Sequence, residues 1–222
     1  MGTIFIVGTP IGNLGDITLR ALETLKKVDC VYAEDTRVAG KLLAHYGIKK
    51  SVERYDGHSH AKSIGQIAKG MERGDQISLV TDAGTPGISD PGAHLVNSLL
   101  KELPECKIVP IPGVSAVATL LSVCGINTDQ FTFLGYPPHK KGRATFFKQC
   151  AEITVRPLVL YESPHRILKT LETLMSTFGA EHQIIVGREL TKIHEEIFRG
   201  TLREASLHFK KESRGEFTLI IA

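Results

Sequence analysis

Apolar and polar positions along this chain fall into short blocks of two kinds. Ile4 to Val7 form an apolar run that breaks at Gly8-Thr9-Pro10-Ile11-Gly12-Asn13, which predicts a buried strand followed by a turn. Leu19, Leu22 and Leu25 recur at threefold spacing and predict a helix over Thr18–Val28. The same reading gives a strand over Cys30–Ala33, helices over Arg37–His45 and Ala61–Arg73, and a strand over Gln76–Thr81. A helix over Gly92–Leu103, a strand over Lys107–Ile111 and an apolar helix over Ser115–Cys124 follow. Strands alternating with helices in this way predict a mainly parallel sheet covered on both faces.

The second half is spaced differently. Strands are predicted over Phe131–Gly135, Pro157–Tyr161, His182–Arg188 and Glu216–Ile221, with helices over Arg143–Cys150, Arg166–Phe178 and Leu202–Phe209. A mixed sheet suits that spacing. The fold class is therefore α/β in two domains, residues 1–115 and 116–222, with the boundary in the zone 112–128. No repeat or low-complexity segment is present.

Composition narrows this little further. The chain has 222 residues, 42% of them hydrophobic, ordinary for a globular protein with a full core. No apolar run approaches the roughly 18 residues of a membrane span, and no basic region precedes Ile4–Val7, so neither a span nor a signal peptide is expected. Cys30, Cys106, Cys124 and Cys150 form no CxxC pair, so neither a zinc site nor a redox motif is indicated, and a cytoplasmic location with reduced thiols is expected. The formal charge of +3 permits a nucleic-acid partner and requires none.

The chemistry lies in the loops after the first-half strands, where open α/β sheets bind ligands. These are GTPIGN, Glu34-Asp35-Thr36-Arg37, TDAGTPGISDPG from Thr81 to Gly92, and IPGVSA from Ile111 to Ala116. A strand followed by a glycine loop suggests a phosphate, but GTPIGN lacks the GK[ST] ending of a nucleoside-triphosphate loop and the GxGxxG spacing of a dinucleotide loop. Pro10 also removes a backbone N–H that an anion cradle would use. Asp90, before Pro91 and Gly92, is expected to cap the helix that follows.

The motifs VGTPIGNLGDITLRAL, YAEDTR, LVTDAGTPGISDPG, IPGVSA, FLGYPP, YESPHR, GRELTK and GEFTL span nearly the whole chain. Together they resemble the tetrapyrrole methylase family of S-adenosylmethionine-dependent enzymes, and within it the branch acting on small-subunit ribosomal RNA. The resemblance implies two α/β domains with the cofactor in a cleft between them, a homodimer, and methylation of a cytidine ribose 2′-hydroxyl in 16S ribosomal RNA. The implied partner is that RNA or the assembled small subunit, with no membrane and no metal. It also places Ile11, Asp82, Gly84, Gly87, Ile88, Ser115, Ala116 and Glu162 where the family contacts the cofactor. Many members of the branch continue past GEFTL into a further segment, whereas this sequence stops at Ala222; RNA affinity is the property this bears on.

A sulfonium methyl is already activated, so in-line placement of a nucleophile supplies much of the rate. A ribose hydroxyl also needs its proton removed; the candidates are Asp35, Glu162, Glu189 and Lys192, of which Glu189 and Lys192 equally suit a surface ion pair. Arg37, His165 and Arg166 are candidates for holding RNA phosphates, because arginine makes paired contacts to phosphate oxygens. The EDTR stretch is the leading element for the substrate side. His139, Lys140, Lys141 and Arg143 form a basic loop that suits either RNA or solvent. Two other functions stay open at this level: methylation of a tetrapyrrole or other small molecule on the same fold, and a non-enzymatic RNA- or nucleotide-binding module.

Overall fold

The computed structural model describes residues 1–55 and 60–222, in two compact units, Met1–Ser115 and Ala116–Ala222. The first holds strands β1 (Thr3–Val7), β2 (Cys30–Ala33), β3 (Ser51–Arg54), β4 (Gln76–Val80) and β5 (Lys107–Ile111). They pair in the order β3-β2-β4-β1-β5, all parallel. Their connections are helices α1 (Leu19–Lys27), α2 (Thr36–His45), α3 (His60–Arg73) and α4 (Gly92–Glu102). Side chains alternate across the sheet: Phe5 and Val7 join the core that includes Leu25, Val31 and Leu43, while Ile4 and Ile6 join the one that includes Ile67, Met71, Leu95 and Leu99. A sheet apolar on both faces needs helices on both, which is why its strands read as continuous apolar runs. With every strand parallel, the carboxyl ends share one edge, and the loops that follow β1, β2, β4 and β5 emerge together there.

The second unit holds β6 (Thr132–Phe133), β7 (Leu158–Glu162), β8 (Gln183–Arg188), β9 (Glu196–Thr201) and β10 (Phe217–Ile221), with α5 (Ala116–Leu121), α6 (Arg143–Glu152), α7 (Ile167–Phe178) and α8 (Leu202–Phe209). The order β6-β7-β10-β8-β9 combines one parallel pair with antiparallel ones, a mixed sheet as expected. Phe147, Leu160, Leu171, Val186, Phe209 and Leu219 belong to its core.

Four elements differ from the sequence expectation. The helix predicted over Ser115–Cys124 is regular only to Leu121; Val123 and Cys124 bond three residues back, and Gly125 turns the chain at φ 80°. The strand predicted over Phe131–Gly135 is regular at Thr132–Phe133; Leu134 N–H and the Gly135 carbonyl still bond to β7, and Gly135 at φ 64° then turns the chain away. Strands β3 and β9 were not predicted: both are sheet edges with polar sequences, SVER and EIFRGT, which need only one partner and carry no strong apolar pattern.

Candidate active site

The four loops of the first unit are laced together at the strand ends. Gly8 N–H donates to the Ile111 carbonyl at 2.9 Å, and Thr9 N–H to the Gly84 carbonyl at 2.9 Å. The buried Thr9 hydroxyl lies 3.2 Å from the Thr81 carbonyl and 3.3 Å from that of Gly84. Thr85 donates to the Val114 carbonyl at 3.1 Å, and Asp35 N–H to Asp82 Oδ1 at 3.0 Å. Thr9, Thr85 and Gly113 were not singled out in the sequence. The available signal was small hydroxyl residues flanked by glycine and proline, which is common in ordinary turns.

Close backbone approach explains the glycines. A Cβ on Gly8 would lie 2.7 Å from Gly113 Cα, and one on Gly113 would lie 2.8 Å from Gly8 Cα. Gly84 and Gly87 take φ 86° and 92°, the left-handed region that glycine enters without a steric penalty. Ser89, at φ 65°, enters it without that freedom, a strain that clusters at functional loops. Asp90 does more than cap: Oδ1 accepts from Gly92 N–H at 2.7 Å, and its two oxygens accept from Gly87 N–H at 2.8 and 2.9 Å. It closes the 87–90 turn as well as starting α4.

This arrangement settles the phosphate question on chemistry. The amides of Gly8, Thr9, Gly87 and Gly92 already serve protein acceptors, and prolines 10, 86, 91 and 112 have no N–H. The loops carry one cation, Arg37, and it is paired. Asp35 grips it through Nε at 3.0 and 3.2 Å and through Nη2 at 2.5 Å, and also accepts from Arg37 N–H at the start of α2. What remains suits a phosphate-free ligand with adenine, ribose and amino-acid parts: exposed Asp82, half-buried Ile11 and Ser115, and Ile88 at the surface. Ala116 opens α5, the first helix of the second unit. S-adenosylmethionine meets that description.

Asp35 and Arg37 sit at this edge with Arg37 turned to solvent, its side chain 85% exposed. The hydrogen bonds from the Arg37 guanidinium hold the Asp35 carboxyl well below the usual carboxylate range.

The second unit corrects four expectations. Glu162 is buried, with Oε1 accepting from Ser163 N–H at 2.7 Å and Arg166 Nη2 at 2.8 Å, and Oε2 from Thr170 at 2.5 Å. Its side chain is fully buried, whereas that of Asp35 is 26% exposed, so Glu162 is shut off from a ribose hydroxyl. Arg166 also donates to Ser163 Oγ and the Pro137 carbonyl, which leaves its guanidinium committed inside the unit rather than to RNA. Arg143 was expected in the basic loop, but only 7% of it is exposed. It donates to Pro138 O and Thr170 Oγ1, lies 3.8 Å from Glu162, and covers the Phe147 ring. These residues form a buried charge network that fixes the start of α7 to the turn after β6. Lys140, Lys141 and His165 are exposed.

Lys192 is the fourth correction. Its Nζ lies 2.8 Å from Glu189 Oε1 and 2.9 Å from Glu216 Oε2. Burial pulls the ammonium down, but the hydrogen bonds it donates to Glu189 and Glu216 outweigh it and the net shift is upward. Lys192 is thus a cation and not a proton acceptor. Glu189 and Thr191 take φ 51° and 67°, and a Cβ on Gly215 would meet Glu189 Cγ at 2.4 Å; the GRELTK turn is strained and tightly seated.

Among the described residues no helix is long and apolar enough to cross a membrane, and no group of three or more His, Cys, Asp or Glu is placed to hold a metal ion. The model of the family described as Tetrapyrrole (Corrin/Porphyrin) Methylases matches residues 3–206. A protein named Ribosomal RNA small subunit methyltransferase I from Synechocystis is 44% identical over all of this chain and 79% of its own length. One of the same name from Thermotoga maritima is 42% identical, covering all of this chain and 99% of its own. The structure of a uroporphyrin-III-C-methyltransferase from Thermus thermophilus superimposes with a TM-score of 0.70 over 99% of this chain and 94% of its own, at 16% identity, a likeness of fold. The chain therefore belongs to the tetrapyrrole methylase family of S-adenosylmethionine-dependent methyltransferases.

Proposed function

We propose that this protein methylates small-subunit ribosomal RNA, at the ribose 2′-hydroxyl of a cytidine. The observation that carries the substrate is the 42–44% identity, over the full chain, to relatives named for that RNA. The choice of a ribose oxygen and of cytidine rests on the motif resemblance. S-adenosylmethionine, when bound, supplies a methyl on a positively charged sulfur that needs no further activation.

Ile11, Asp82, Gly84, Gly87, Ile88 and Ser115 hold it at the edge of the parallel sheet, with Ala116 beside them in sequence. Asp82 offers Oδ2 to a ligand hydroxyl or amine while Oδ1 holds the Asp35 amide. Arg37 steadies the RNA backbone, and its pairing with Asp35 fixes its direction before RNA arrives, which reduces the ordering cost of binding. Asp35 takes the hydroxyl proton. Its low basicity is no obstacle, because the attacking oxygen becomes strongly acidic as its new bond to carbon forms, and a carboxylate ionised throughout the working range is always ready to accept. Lys140, Lys141 and His165 supply further contacts to phosphate. By the same resemblance the protein works as a homodimer, which sedimentation would read directly.

The experiment is incubation with labelled S-adenosylmethionine and small ribosomal subunits lacking the modification. Label entering the RNA is the expected result. Cofactor binding with no transfer to subunits, or transfer to a tetrapyrrole instead, would overturn the reading. Whole subunits are used because they present the RNA in its folded, assembled state.

A further inference from the structure

The solvent face of α2 carries basic side chains along its length. Arg37, Lys41 and His45 stand four residues apart and all are exposed. Four residues advance a helix by about 6 Å on the same side, so the three form a single row. Lys49 and Lys50 continue it into β3. Between Asp35 and Glu53 the sequence contains no Asp or Glu, and among the described residues Lys41, His45, Lys49 and Lys50 form no ion pair.

Beside the end of the row lies a groove of about 310 Å³, lined by Leu43, Ile48 and Val52 together with Lys49 and Lys50. Its aliphatic side chains are recessed: Leu43 and Ile48 are buried. They present no protruding apolar face for a bilayer, which an interfacial helix requires. Aliphatic lining with two ammonium groups suits a nucleotide, the base against carbon and the phosphates on nitrogen. The row also has a definite origin. It starts at Arg37, whose partner Asp35 is tied to Asp82 in the loop cluster, and reaches His45 about 12 Å further on.

We propose that the exposed face of α2 and the groove beside it bind the phosphodiester backbone of the substrate RNA, with an unpaired base in the groove, as the strand leads away from the nucleotide being methylated. This rests on the reading of the substrate as ribosomal RNA, and the test separates the two. The triple variant Lys41→Ala/Lys49→Ala/Lys50→Ala is compared with the wild-type chain in three assays. With small subunits lacking the modification, KM rises about tenfold or more while kcat and cofactor affinity stay within about twofold. With a fluorescent single-stranded RNA 20-mer, binding weakens and the slope of log affinity against log salt falls by about 2, at roughly 0.7 per lost contact. The corresponding triple arginine variant retains binding. Unchanged RNA affinity and slope overturn the proposal, as does loss of binding to phosphatidylserine vesicles or to an acidic peptide with RNA binding intact. If the wild-type chain methylates no subunits, the substrate reading fails, and the 20-mer assay still decides whether this face binds RNA.

Discussion

Gly8 and Gly113 pass so closely that a Cβ on either would lie within 2.8 Å of the other's Cα. One follows β1 and the other follows β5, so this contact joins two walls of the proposed cofactor edge. Backbone cannot swing aside as a flexible side chain does. Gly8→Ala is expected to cost about 1–3 kcal/mol of stability and to weaken S-adenosylmethionine binding measured by calorimetry. Gly65→Ala, on α3 with nothing within 4 Å of the added carbon, is the control. It is expected to leave cofactor affinity unchanged and to stabilise by up to about 1 kcal/mol.

Asp35 caps α2, and its proposed role as proton acceptor is separable from that duty. Asn caps nearly as well as Asp, so Asp35→Asn keeps the melting temperature. It removes the proton acceptor and the charge that holds Arg37, and kcat is expected to fall at least about a hundredfold with little change in cofactor affinity. The pH dependence gives a sharper test. Arg37 lowers the Asp35 pKa, so in Arg37→Ala the carboxyl returns upward toward its ordinary 3.8. A carbon-detected NMR titration of Asp35 reads that shift, and an unmoved midpoint contradicts the pairing.

Arg143 and Lys140–Lys141 lie within four residues and are expected to behave as opposites. Arg143→Ala removes a charge from the buried Glu162 network, a change costing on the order of 3 kcal/mol, with an unchanged salt slope for RNA binding. Lys140→Ala/Lys141→Ala, at exposed positions, leaves stability within about 0.5 kcal/mol and lowers that slope. Thermal melts and binding across a salt series read both.

The Glu189–Lys192 pair sets a stability window. Burial pushes the Glu189 carboxyl up, but the hydrogen bonds from Lys192 and from Glu216 N–H bring it below 4.5. Its contribution is therefore present above pH 4.5 and lost as pH falls through the folded value. Lys192 is raised above 10.5, so its contribution is present below that and lost as pH climbs through the folded value. The stability gap between wild type and Lys192→Met is expected to be about 1 kcal/mol, given the partial exposure of both groups. Denaturant melts from pH 3 to 11 should show it level in between and shrinking at both ends.

The parallel sheet was legible because its strands are buried on both faces and read as unbroken apolar runs, and its loops because glycine and proline punctuate them. The edge strands β3 and β9 were not, since a strand with one partner and a wet face needs neither feature. At the site, the sequence put forward Asp35 and Arg37 as candidates for the substrate side but not their clasp, which depends on the turn geometry at the start of α2. Arg143 illustrates the limit most clearly. Beside two lysines it reads as a third surface cation, yet Glu162, nineteen positions away in sequence, draws it inside. Charge patterns along a chain show which groups are near in sequence, and not which buried partner an arginine will find.

The central claim is that methyl is transferred to a ribose oxygen of small-subunit RNA. A 2′-O-methyl group blocks attack by that oxygen on the neighbouring phosphate, so the bond that follows survives alkali. Subunits lacking the modification are treated with the protein and methyl-labelled cofactor, and their RNA is then hydrolysed in alkali. The label is predicted to remain in a dinucleotide whose first member is cytidine. Label recovered as a base-methylated mononucleotide, or no label in the RNA while the cofactor binds, would contradict it.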